Sequence, residues 1–163
     1  MSAIISACGL YRYRLERNVG LWGKQATFVM LNPSTADAER DDATIRRCIG
    51  FARAWNCGRL VVVNLFAYRA TKPEAMKMTA DPVGPENDHH IVEAAREAAR
   101  DGGRLICAWG ANGKFRDRDK AVLAMLRSID VEPLSLEETA DGSPKHPLYI
   151  PSDARPLPYL GRA

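Results

Sequence analysis

Phe28 to Leu31 form an unbroken apolar run that stops at Asn32-Pro33-Ser34-Thr35. Such a run predicts a parallel strand covered on both faces that ends in a polar turn. Ahead of it, Tyr11, Tyr13 and Leu15 alternate with Arg12, Arg14 and Glu16. That period of two predicts an N-terminal antiparallel strand or hairpin at a sheet edge, with the arginines on its wet side as solubility devices. A polar loop follows the turn, and either Asp41 or Asp42 can cap a helix whose apolar stripe is Ile45, Cys48, Ile49, Ala52 and Trp55. Asn56-Cys57-Gly58 closes this helix, with glycine suited to the left-handed terminal position. Leu60 to Phe66 is a second apolar run, interrupted only by Asn64. Strand, helix and strand at this spacing read as a right-handed parallel crossover.

The second half repeats the alternation. Tyr68 to Pro85 is loop-like around a short helical stretch, EAMKM, and a helix from His89 to Arg100 buries Ile91, Val92, Ala95, Ala98 and Ala99. Asn87 and Asp88 can cap it, and His89 and His90 fall in its exposed first turn. Leu105 to Trp109 is a third strand, closed by Gly110-Ala111-Asn112-Gly113. Val122, Met125, Leu126 and Ile129 mark a third long helix. Val131 to Leu136 is a fourth strand whose Pro133 suggests an edge. The tail from Pro151 is expected to make contacts without secondary structure. The pattern predicts one α/β domain over residues 1–163: three α/β/α layers around a mostly parallel four-stranded sheet, plus the N-terminal antiparallel strand or hairpin.

Composition narrows the class. Hydrophobic residues make up 46% and charged residues 26% of the 163, a balance that argues against a disordered or fibrous chain. No apolar run is long enough for a membrane span and the start has no signal-peptide pattern, so no membrane contact and a cytoplasmic location are expected. Cys8, Cys48, Cys57 and Cys107 are widely spaced, and His89, His90 and His146 have no zinc-finger spacing. Reduced thiols, no metal and no cofactor are expected. The net charge of +3 neither requires nor excludes a nucleic-acid partner.

Candidate chemistry lies where the strands end, because open α/β sheets bind ligands beyond their strand carboxyl ends. Asn32, Pro33 and Ser34 form one such end. Asn64 is either a satisfied structural amide or a ligand contact. Phe66 is either core or a surface on which a base stacks, and Trp109-Gly110 is a turn where backbone can approach a ligand. Lys114 and Arg116, in a run shared with Asp117 and Asp119, are either a solvated helix start or phosphate contacts.

Taken in order, Asn32-Pro33 after the first core strand, Asn64 ending LVVVN, Ala108-Trp109-Gly110 ending the third strand and His146-Pro147 after the fourth resemble the uracil-DNA glycosylase superfamily. Its mismatch-specific branch also carries an Asn-Pro after its first strand. More narrowly, NPSTAD, TIRRC and HPLYI look like an uncharacterised bacterial domain family. The superfamily resemblance implies that Asn32 positions water, Asn64 reads the edge of a base, and His146 stabilises negative charge on that base as the glycosidic bond breaks. Pro33, Ser34, Phe66, Trp109 and Gly110 would shape the substrate pocket. Cleavage leaves a cation-like sugar and an anionic base, which explains donors aimed at the base and water held near the sugar. The chain departs from the efficient uracil enzymes at Leu31 and Ser34, where those have Gln and Tyr. It has Leu148-Tyr149-Ile150 in place of their Ser-Pro-Leu-Ser loop, which holds a flipped base out of duplex DNA. The resemblance therefore implies a nucleobase N-glycosidic hydrolase acting on modified bases in DNA or nucleotides. A non-catalytic module that binds a nucleotide or nucleic acid is the alternative, and a base-exchanging transferase is a third.

Overall fold

The computed structural model describes residues 1–162, and within them the two apolar runs lie side by side near the centre of a seven-stranded sheet. In chain order the elements are β1 (Ser2–Ile5), β2 (Arg12–Asn18), β3 (Gln25–Met30), α1 (Ala43–Ala54), β4 (Arg59–Asn64), α2 (Pro73–Lys77), α3 (Asn87–Arg100) and β5 (Arg104–Cys107). A 3-10 segment (Ala111–Asp117), α4 (Arg118–Ser128), β6 (Leu134–Ser135), a short 3-10 turn (Pro147–Tyr149) and β7 (Leu157–Pro158) complete the chain. The sheet order is β1-β2-β4-β3-β5-β6-β7. β4, β3, β5 and β6 are parallel, and these are the four strands legible in the sequence. Antiparallel β1 and β2 extend one side and β7 the other.

Alternation along β3 sends Phe28 and Met30 to one face, with Ile45, Cys48 and Phe51 of α1. Val29 and Leu31 go to the other, with Ile91 and Ala95 of α3 and Val122 and Leu126 of α4. Both faces are therefore covered, which is why the strand reads as continuously apolar. Asp42 caps α1, its Oδ1 accepting the Ile45 N–H at 2.9 Å. Asn56, at φ +56°, takes the left-handed position that the sequence pattern assigns to Gly58. The chain leaves β3 through α1 to β4 on one side, then crosses by α3 to β5 on the other. The strand order reverses at β3, and a crevice opens between diverging connections at such a point.

The N-terminal hairpin expected at a sheet edge is there, as antiparallel β1 and β2 with β1 outermost, but two other expectations fail at the sheet margins. β6 is not an edge: the tail folds back as β7, which pairs with it, and Tyr159 is buried. Arg12 and Arg14 are not solubility devices, since both are buried. Arg14 donates to Glu16 at 2.6 Å and to Glu97 of α3 at 2.5 Å, and Arg59 adds a bond to Glu16 at 2.8 Å. Arg17, equally buried, pairs with Asp41 at 2.7 Å. Burial alone would raise the Glu16 carboxyl, but the bond from Arg59 and the charge of Arg14 hold it below the usual range.

Arg14→Ala removes one partner of a buried network whose carboxylates still reach some water, and is expected to cost about 2 kcal/mol at neutral pH. Glu16 has a depressed folded pKa, so its contribution is complete above the ordinary carboxylate range and fades as the pH falls through the folded value. Urea unfolding of wild type and variant across pH should show the gap narrowing in acid.

Candidate active site at the strand carboxyl ends

The crevice is a cavity of about 630 Å³, a size suited to a nucleoside-scale ligand. Its walls come from the turn after β3 (Asn32, Ser34), the end of β4 (Asn64) and the turn after β5 (Trp109, Gly110). Asp42 and the first turn of α1, Arg12 of β2, and the segment from Lys145 to Tyr149 close it. Asn32 and His146, more than a hundred positions apart, line the same space.

Asn32 is oriented by its neighbours. Its Nδ2 donates to Ala70 O at 2.8 Å and to Pro33 O at 3.1 Å, which leaves Oδ1 as its acceptor. Asn64 differs: at 1% exposure, neither its Nδ2 nor its Oδ1 has a partner among the described protein groups. The backbone beneath it is tightly held. Asn87 Nδ2 donates to Asn64 O at 2.9 Å and Leu65 O at 3.0 Å, and Arg118 Nε donates to Leu65 O at 2.8 Å. Asn87 is thus no helix cap but a brace under the end of β4. Asn64 is one of the residues that line the cavity, and a buried amide without a protein partner calls for one from solvent or ligand.

His146 precedes the Pro147–Tyr149 turn, and its Nδ1 accepts the Leu148 N–H at 3.2 Å. With Nδ1 occupied as an acceptor, the neutral ring carries its proton on Nε2 and is a donor there. Burial lowers its pKa, opposed by the charge of Asp42. Arg47 of α1 anchors the segment by donating to Pro147 O and Ile150 O.

Ser34, Trp109 and Gly110 also reach the wall. Gly110, at φ +73° and ψ −174°, holds a conformation that is essentially glycine's alone, and its N–H bonds Pro144 O at 2.7 Å. Trp109 packs flat against Gly113, where a Cβ would sit 2.1 Å from its Cδ1. Pro33 is buried behind Asn32 and outside the wall. Phe66 falls elsewhere than expected: it lies past the end of β4, where the strand alternation has stopped, and with Leu65 it is buried in the α3 and α4 layer, against Phe115. Lys114 and Arg116 are also absent from the wall. Lys114 pairs with Asp141 at 3.3 Å, and Arg116 folds over the Phe115 ring, because left-handed residues at 116 and 117 turn the chain outward.

Sequence reasoning missed two of the charged groups in the wall. Asp42 reads as a helix cap, and it serves as one while also facing the cavity. Arg12 reads as a wet-face residue, and no local signal reveals that it is buried.

Among the described residues no helix is long and apolar enough to cross a membrane, and no cluster of three or more His, Cys, Asp or Glu could hold a metal. Residues 12–148 match the model of a family described as "Protein of unknown function (DUF1643)". No curated protein and no solved structure matches the chain.

Two outcomes follow from the geometry. Asn64→Leu keeps the shape and removes both unpaired polar atoms, so it is expected to raise stability by about 1 kcal/mol in urea unfolding. Asp42→Asn keeps the cap and removes the opposing charge, so it is expected to push the His146 pKa further below its ordinary value, read by NMR titration of the ring.

Proposed function

The chain belongs to that family of unknown function, and since the description assigns no activity, we propose from the cavity itself that it binds a nucleobase and hydrolyses its N-glycosidic bond. The reading follows the uracil-DNA glycosylase superfamily that the sequence resembles, with modified bases in DNA or nucleotides as substrates. One observation supports it: Asn64, a residue of the cavity wall, carries a buried amide whose donor and acceptor both lack a protein partner. Nucleobase edges carry the complementary pair in one plane.

The chemistry then assigns a task to each neighbour. The bond from the sugar carbon to the base nitrogen breaks, and its electron pair goes to the base. His146, neutral and donating from Nε2, stabilises the anionic base oxygen without having to lose a charge-bearing proton. Asn32 Oδ1 accepts from a water and turns that water's lone pair toward the cation-like sugar carbon, where the new carbon–oxygen bond forms while the water proton passes through solvent to the departing anionic base. An amide cannot take that proton strongly. Asp42, the carboxylate in the wall, supplies negative charge that favours the cationic sugar.

The amide at position 32 also supports the second reading, a non-catalytic module that binds a nucleotide or nucleic acid in the same cavity. Incubation with oligonucleotides and nucleosides carrying a panel of bases separates the two. The hydrolase releases free base, with His146→Ala slowing release roughly a hundredfold, as loss of a charge-stabilising donor does elsewhere, and Asn32→Ala also impairing it. Absence of release with any base, alongside binding that weakens as salt rises, would replace the hydrolase with the binding module.

A further inference from the structure

Three arginines of β2 are buried, but only two have carboxylate partners. Arg14 pairs with Glu16 and Glu97, and Arg17 with Asp41. Arg12, at 2% exposure, has a protein acceptor only in Ala36 O, 2.7 Å from Nη1, and its Nε has no partner among the described residues. A guanidinium carries five donors in a planar fork. Burying it with one backbone acceptor is costly, and the charges of Asp42 and Asp37 offset the burial in part without a hydrogen bond to the guanidinium.

The strand is built to aim it this way. Ile4 pairs with Arg14 and Ile5 with Arg12, so Tyr13 is the extra residue of a β-bulge. Across an ordinary stretch of strand, residues 12 and 14 would share a face. Because of the bulge, Arg14 turns to α3, whereas Arg12 reaches Ala36 in the layer beside α1. Bulges recur next to active sites, where they redirect a side chain. Here the redirected side chain lines the same cavity as Ala43–Ile45, the first turn of α1, and the charge of Asp42 acts on it. A helix N-terminus adds partial positive charge to that wall.

We propose that Arg12 and the first turn of α1 form an anion seat in the cavity, and that the ligand is therefore a phosphorylated nucleoside, not a free base or nucleoside. Naming a nucleoside rests on the base reading of Asn64; the seat does not. Asp42, in the same wall, uses Oδ1 on the Ile45 N–H and sets an upper limit on how strongly an anion is held. Lys145 contributes less, being paired with Glu137 at 2.9 Å. The phosphate can come from a mononucleotide or from a nucleic-acid backbone, and both present the same oxygens to the fork.

The test titrates inorganic phosphate into the ¹⁵N-labelled protein and follows the Arg12 Nε–H signal. A saturable shift is expected in wild type, with affinity falling roughly tenfold or more in Arg12→Gln and rising in Asp42→Asn, which keeps the helix cap. If Arg12→Gln does not fold, the wild-type Nε–H shift and the Asp42→Asn gain still decide the matter. An Arg12 signal indifferent to phosphate, or equal phosphate affinity in Arg12→Gln, overturns the seat. Deoxyuridine, deoxyuridine monophosphate and a short deoxyuridine-containing oligonucleotide then identify the source. The phosphorylated probe that loses affinity in Arg12→Gln while deoxyuridine does not is the one the seat serves, and loss by neither overturns the ligand assignment. Failure of deoxyuridine itself to bind, with the phosphate response intact, counts against the reading of Asn64 and leaves the seat standing.

Discussion

A buried amide side chain with no protein partner destabilises a fold by about 1–3 kcal/mol for each polar atom that neither solvent nor ligand meets, and Asn64 has two atoms without a protein partner. A valine or leucine there would continue the apolar run of β4 without that penalty. The surrounding structure makes no move to satisfy the amide. Asn87 and Arg118 instead spend their bonds on the backbone at Asn64 and Leu65, fixing where the side chain sits while leaving its polar atoms to the cavity. Rigid support beneath an unpaired group is the arrangement expected of a binding site whose polar groups await a partner.

The same economy governs the rest of the wall. Asn32 is turned by bonds to Pro33 O and Ala70 O, so only its oxygen is free. His146 is held by the Leu148 N–H and by Arg47 across to the following turn. The loop from Ala36 to Asp41, which carries the chain from Asn32 to α1, is pinned to β2 by Arg12 and Arg17. The N-terminal strand is thus part of the site's foundation as well as of the sheet. All of these groups converge because the strand order turns around at β3.

What the sequence disclosed was local. The parallel strands announced themselves through continuous apolar runs, the long helices through their stripes, and α1 also through its Asp42 cap. Asn32, Asn64 and His146 stood out because each is polar at a strand end or alone in a turn, and all three line one cavity. What stayed hidden depends on partners distant in the chain. The burial of Arg14 needs Glu97, 83 residues away. The burial of Arg12 needs a bulge that only the pairing with β1 creates. β7 exists because the tail reaches β6, and Phe66 is core because Phe115 returns to meet it. Lys114 and Arg116 read as either a solvated helix start or phosphate contacts, and both lie exposed outside the cavity wall on a segment with two left-handed residues, which charge patterning cannot report.

The claim that the cavity reads a base edge through Asn64 is tested most directly by the side-chain NH₂ signals of that residue, recorded with and without saturating uracil-bearing nucleotide as probe. The account expects one of its two protons to move downfield as it gains an acceptor, with the other changing little. Saturation of the cavity with both Asn64 protons unmoved would contradict it.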